Sequence, residues 1–357
     1  MASTPAPPFK PLQSGQVSEQ DARVHTASQV NALAAAGDLR FAFLRAQWFA
    51  ASGTKSPVLA HDETGEPIAA FALNDFRKGP LTFKQVGGSY WPFRGVPIAR
   101  GASEQALSQA LASKELAAQL GWAWRVGPVS TDDEAAIRLQ ASAQKAGWHV
   151  LSRTLGTCFE LDLGELTRSE NWPSSKTQRK NRWRKRRLAE SGEVRVEMFT
   201  GANWTAQQRD AMATIEAASW LGKLEGGGDT KFRDQQQRSY WENLCEDRAL
   251  AAMLFGSVMY IGETPAAFTF GVQSGDCRYY IANNYDDSFT KFGPGRVLLY
   301  DDFAAAAEKG IELISWGLGD AGYKAEMGAR AGPEVKDLLF VRNRLAALAL
   351  KPVWERA

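Results

Sequence analysis

The chain has 357 residues, a formal net charge of +2, 44% apolar residues and 23% charged ones. That length suggests two domains of about 100 to 200 residues each, and the near-neutral charge excludes a general field for nucleic acid, leaving only a local patch. Cys158, Cys245 and Cys277, with His25, His61 and His149, are too scattered for a disulfide framework or a zinc site, so reduced thiols and no metal are expected.

Residues 1–22 are rich in Pro and Ser and lack the apolar core of a signal peptide, which predicts a disordered lead-in. No apolar run reaches the ~18 residues of a membrane span, so a cytoplasmic protein is expected. "AFLRAQWFAAS", from Ala42 to Ser52, has helical spacing. "SPVLAHDETGEPIAAFAL" reads as two strands joined near Thr64 and Gly65. "FKQVGGSYWPFRGVPI" could line a cleft or form an awkward edge strand. A helix follows from a Ser103 cap to Gly121, then a strand "WAWRVGPV", a helix ending at Gly147 and a strand ending near Leu163. These elements make a first α/β unit, residues 23–164.

Residues 165–175, broken by Pro173, form the candidate junction to a second unit, 176–357. It opens on "KTQRKNRWRKRR", with eight Lys or Arg between Lys176 and Arg187. Cations cover most of that helix's circumference and repel one another, which implies an anionic partner. A strand, the helix "TAQQRDAMATIEAASWLG", a mobile turn at Glu225 to Asp229, another helix and a three-strand meander follow. "KFGPGR" then leads into a helix with Leu299, Phe303 and Ala307 on one face, and "IELISW" is a strand. A glycine turn entering a helix fits a phosphate against free backbone N–H groups, and it equally fits a plain strand-to-helix connection.

"SSKTQRKNRWRKRRLAESG", "EAASWLG" and "IANNYDDSFTKFGPGRVLLYDDFAAAAEKGIELISWGLGDAGYK" carry a resemblance to the GNAT-fold acyltransferases. The CelD-like branch is the nearest in pattern, a relative of the FemAB transferases, which hold two such folds in tandem. The resemblance implies tandem α/β (α+β) GNAT-like units, each a mixed, mainly antiparallel twisted sheet flanked by helices. It also implies acetyl-CoA or another acyl-CoA as co-substrate, and transfer to a saccharide or an envelope-polysaccharide precursor. In "TKFGPGR", Gly293 and Gly295 match the glycine pair of the GNAT signature, whereas Thr290 stands where Arg or Gln is usual.

Carried onto this chain, the N–H groups of Gly293, Gly295, Arg296 and Val297 would meet the pyrophosphate. The strand through Asn283 and Tyr285 would face pantetheine. Tyr323 is the candidate acid, and Asp320 and Glu216 are candidate bases. Lys324 would pair with phosphate or with a nearby acid, Trp220 would wall the acceptor site, and Lys176 and Arg179 would touch substrate. A rival reading is a non-catalytic or aminoacyl-tRNA-using FemAB-like protein whose residues 176–187 bind RNA or the inner face of an anionic membrane.

Overall fold

The computed structural model describes residues 19–54, 56–169, 172–224, 228–319 and 322–356. The first half runs α1 Glu19–Ala36, α2 Ala46–Ala50, β1 Val58–His61, β2 Pro67–Phe71, β3 Leu73–Lys78 and β4 Leu81–Val86. It continues with α3 Glu104–Ala112, α4 Lys114–Leu120, β5 Ala123–Ser130, α5 Glu134–Lys145 and β6 His149–Asp162. The second half opens with α6 Leu163–Arg168, α7 Ser175–Ala189, β7 Val194–Thr200, α8 Ala206–Ala218, α9 Gln235–Leu244 and α10 Arg248–Met253. Then come β8 Leu254–Ile261, β9 Thr264–Ser274, β10 Cys277–Tyr285, α11 Pro294–Glu308, β11 Leu313–Leu318, α12 Tyr323–Glu326, β12 Arg330–Val341 and α13 Arg344–Arg356.

Ten strands form one sheet in the order β3-β4-β5-β12-β6-β11-β10-β9-β8-β7, and β1 and β2 make a separate hairpin. Among the described residues only β4/β5 and β10/β11 are parallel. The α/β fold class expected from the sequence is therefore present: a mixed, mainly antiparallel sheet flanked by helices. Its connectivity adds what local pattern does not carry. β12, from the end of the chain, lies between β5 and β6, and β6 from the first half pairs with β11 of the second. One hydrophobic core correspondingly crosses the halves, with Phe43 edge-on to Tyr279 and Trp48 edge-on to Trp241.

Several local expectations are corrected. Residues 1–18 of the lead-in lie outside the described residues, and α1 already begins at Glu19. The helix read from Ser103 to Gly121 is two helices, because Ser113 takes an extended conformation and its side chain caps Leu116 N–H. The meander, expected to begin at "ALAAML" (Ala249 onward), opens instead with helix α10, capped by Asp247, and becomes strand only at Leu254.

Beneath α11 a buried polar network fixes the helix on the sheet. The Asp302 carboxylate accepts from the hydroxyls of Ser257 on β8 and Thr269 on β9, and from Tyr280 Oη at 3.4 Å. Arg278 donates to the Asp302 carbonyl at 3.2 Å. Satisfied groups of this kind dictate one seating for α11, since any shift would strand them away from water.

Candidate active site

β10 and β11 are paired only from Cys277↔Leu313 to Tyr279↔Ser315. β10 then runs on from Tyr280 to Tyr285 away from its neighbour, so the sheet opens. A bulge between Tyr280 and Ala282 lies at the start of this opening and re-aims the peptide groups of Ile281. The cavity in the split has a volume of about 580 Å³ and is walled by Asn283, Tyr285, Gly295, Leu299, Trp316 and Tyr323.

The N-terminus of α11 closes one end. Gly293 is its N-cap at φ 57°, a left-handed conformation that favours glycine. Pro294 at the first helical position has no N–H to leave orphaned. Gly293 N–H donates to Thr290 O at 3.1 Å and Val297 N–H to Gly293 O at 3.3 Å. The N–H groups left facing outward by the helix geometry are those of Gly295 and Arg296, at the positive end of the helix. A side chain at Gly295 would crowd Tyr285, whose ring lies 3.1 Å from where a Cβ would stand.

Two guanidiniums flank this end. Arg184 of α7 reaches over Gly293 while its Nη1 donates to Asn181 at 3.1 Å. Burial, then the neighbouring Arg296, hold its pKa below the usual value. Arg296 is also paired with Glu326, so the two guanidiniums near this helix N-terminus would meet a polyanion such as a pyrophosphate with one carboxylate beside them.

At the other end stands Tyr323, set as the first residue of α12 after Gly322. Its hydroxyl accepts from Asn283 Nδ2 at 3.0 Å, and its ring meets Trp316 edge-on. Burial raises its pKa, with the Asn283 bond opposing, so the phenol keeps its proton in neutral solution.

A second cavity, of about 600 Å³, adjoins the first across Tyr280, Ile281 and Trp316. The first half of the chain supplies its far wall, Gly88 to Trp91 and Arg94. Trp91 is tied to the split by its indole N–H, which donates to Tyr280 O at 3.1 Å. Asp229 lines both cavities and is paired with Lys231 at 2.5 Å.

Residues 175–325 match the family model described as Acetyltransferase (GNAT) domain. This segment, less than half of the chain, is similar to a GNAT acetyltransferase domain. Among solved structures, FemX superposes with a TM-score of 0.61 at 12% identity over 91% of this chain and 98% of that one. The C-terminal domain of an Agrobacterium fabrum protein described as a lysylphosphatidylglycerol synthetase gives 0.55 at 13% identity, over 92% and 95%. The L-PGS of Bacillus licheniformis gives 0.53 at 13% identity, over 92% and 97%. At these identities the likeness is one of fold. No curated protein matches in sequence.

Within the matched segment, the split brings together Trp220, Asn283, Tyr285, Gly295, Arg296, Tyr323 and Lys324. Other expectations part from the geometry. Gly293 shapes the turn and Val297 is fully buried, and both spend their N–H groups inside the chain. Lys324 is buried and its ammonium donates to the carbonyls of Trp316, Leu318 and Gly319 at 3.1, 3.3 and 2.6 Å, so it anchors the end of β11 instead of meeting phosphate. Glu216 is fully buried, and its carboxylate accepts from the N–H groups of Lys231, Phe232 and Arg233, each at 2.8 Å. It holds the segment that carries Asp229 and does not line the split. Asp320 lies outside the described residues, as do 225–227 of the expected mobile turn. Lys176 and Arg179 are exposed on α7 and line neither cavity.

Sequence reading passed over Arg184, Asp229 and the second cavity. Arg184 was hidden among eight cations of equal promise. Asp229 sits in a glycine-rich turn with no periodicity to mark it. The "GGSYWPFR" stretch was the available signal, and of its two readings the cleft lining is what the fold uses.

Proposed function

We propose that the protein is an acyl-CoA-dependent acyltransferase acting on an amine or hydroxyl of a saccharide or a similar polar acceptor. The observation that carries this reading is the split between β10 and β11, with a cation-flanked helix N-terminus at one end and a protonated phenol at the other. The amides of Gly295 and Arg296, with the side chains of Arg184 and Arg296, would hold the pyrophosphate, and the β10 edge would accompany pantetheine.

Acyl-CoA supplies a thioester, whose C–S bond breaks as a C–N or C–O bond forms to the acceptor. Asp229 would take the proton of the attacking amine or hydroxyl, and Tyr323 would give one to the departing thiolate, which balances the step. An amide at the Ile281 bulge would polarise the carbonyl. Trp220, exposed at the rim, would shield the acyl group. The saccharide acceptor and the CelD-like affinity rest on sequence resemblance, and the aromatic and polar walls of the second cavity suit such a ligand.

Thiol release from acetyl-CoA tests this reading, measured with a panel of amino sugars and simple amines. Acceptor-dependent release, reduced at least tenfold in Asp229→Asn, is expected. Absence of both release and acetyl-CoA binding would overturn it.

One observation favours a second role beside the first. Lys176, Arg179, Lys180, Arg182 and Arg186 share one exposed face of α7 with Trp183 in their midst, and none is ion-paired among the described residues. Cations around an exposed indole fit an anionic bilayer surface, in keeping with neighbours described as making lysylphosphatidylglycerol. Sedimentation with phosphatidylglycerol vesicles should capture the protein, and Trp183→Ala with Arg182→Ala should release it. Equal capture by neutral phosphatidylcholine vesicles would refute the membrane role.

A further inference from the structure

We infer that the second cavity selects an acceptor carrying a carboxylate or phosphate group, and that Arg94 is the residue that reads it. The inference deepens the proposed transferase reading by naming the acceptor's chemistry.

Arg94 belongs to the stretch that follows β4 and crosses the cavity floor. Its backbone is fixed on β5, its N–H donating to Pro128 O at 3.0 Å and its carbonyl accepting from Gly127 at 3.2 Å. Its side chain is also positioned, since Nε donates to Gly88 O at 3.1 Å and the guanidinium lies over the Tyr90 ring at 5.9 Å. That leaves the two terminal nitrogens toward the cavity, without a carboxylate partner among the described residues. A half-buried guanidinium held in this way is a pre-positioned donor pair for an anion that enters the cavity.

The surroundings sharpen the argument. A buried carboxylate that acts electrostatically on Arg94, Asp337, is ion-paired through Oδ2 to Arg125 at 2.6 Å and Arg153 at 2.7 Å, while its Oδ1 is buried without a hydrogen-bond partner. Arg94 feels the charges of both Arg125 and Asp337 without an ion pair to that carboxylate among the described residues. Burial and the like charge of Arg125 lower the pKa of Arg94, which an incoming anion would reverse. Within the cavity the acidic side chain is Asp229, and its charge is met by Lys231.

The cavity therefore has two unlike walls. Its open end meets the split at Tyr280, Ile281 and Trp316, where an acceptor's nucleophile would lie. Its wall from the first half of the chain presents Arg94. An acceptor spanning the two has an amine or hydroxyl at one end and an anionic group at the other, with Tyr90 and Trp91 as flat walls between. A planar bidentate fork recognises a carboxylate or a phosphate alike.

The test uses inorganic phosphate as probe, by calorimetry, in a Gly295→Trp background whose donor-side anion site is blocked. Phosphate should bind this protein, bind at least tenfold more weakly after Arg94→Gln is added, and recover in part in Arg94→Lys, which keeps the charge. Phosphate affinity unchanged by Arg94→Gln, or absent from the Gly295→Trp protein, would overturn the inference. A second arm compares glucosamine 6-phosphate and glucosaminate with glucosamine, which separates phosphate from carboxylate as the preferred group. Acetyl-CoA binding to the otherwise unaltered chain, with and without Arg94→Gln, is read in parallel. Its failure in both would count against the transferase reading and leave the phosphate result at Arg94 standing on its own.

Discussion

Glu216 separates a structural from a chemical role for a buried carboxylate. In Glu216→Gln the side-chain oxygen can still accept from Phe232 and Arg233, which share one carboxylate oxygen, but the new NH2 would face the Lys231 N–H that the other oxygen now binds at 2.8 Å. One buried donor is left unsatisfied at about 1–3 kcal/mol, and two charge-assisted bonds become neutral ones at about 1 kcal/mol each. Relief from burying a charge offsets part of this, since burial is also what raises the Glu216 pKa against the pull of the three amides. The net loss should be about 2–4 kcal/mol. Glu216→Ala strands all three donors and should lose more. Urea unfolding followed by tryptophan fluorescence gives the stability, and thiol release at saturating acetyl-CoA gives kcat. A shifted urea midpoint with at most a few-fold change in kcat is expected. Wild-type stability with kcat reduced a hundredfold would make Glu216 the base and refute the anchoring role.

Tyr323→Phe keeps the ring against Trp316 and removes the hydroxyl held by Asn283; kcat should fall at least tenfold with the acetyl-CoA Kd within twofold, and an unchanged kcat would remove Tyr323 from the mechanism. Arg184→Gln should weaken acetyl-CoA binding about ten- to a hundredfold, as expected for one charge-assisted contact, and an unchanged Kd by calorimetry would exclude it from the anion site. Stability should also respond to pH. Burial, then Asp132, push the Glu160 carboxyl up to about 7 against the pull of Arg40, and burial lifts Asp133 to about 7. Both bind a proton more tightly folded than unfolded, so their contribution is full below about pH 4 and is lost as pH rises through about 7, at up to about 1.4 kcal/mol per pH unit for each. Glu160→Gln should flatten the fall between pH 5 and 7, and identical slopes in the two proteins would contradict it.

The sequence was most legible where local chemistry decides structure. The meander β8 to β10 announces itself through turns at Gly262 and Gly275, and the "GPGR" entry places the start of α11 without any tertiary information. Ser113 shows the limit of that reading. A serine inside an apolar helical pattern is also a good cap, and the choice to break the helix depends on packing. The placement of β12 between β5 and β6 is a contact across most of the chain, and no local pattern records it. The same holds for the site. Gly295, Arg296 and Tyr323 lie on motifs, whereas Arg94 and Asp229, brought to the cavities, and Arg184, brought over Gly293, gain their meaning only from separate elements meeting in space. Lys324 erred in the opposite direction: a lysine near a phosphate motif reads as a ligand, and three carbonyls at the end of β11 had already claimed it.

The central claim is that the β10/β11 split holds acyl-CoA with its pyrophosphate on the start of α11. Calorimetric titration of the purified chain with acetyl-CoA, beside Gly295→Trp, tests it most directly. The account predicts micromolar binding to the unaltered protein that is lost in the variant, because the indole would fill the space between α11 and Tyr285. Binding of equal strength in both proteins, or none in either with acetyl-CoA and longer acyl-CoAs, would contradict it.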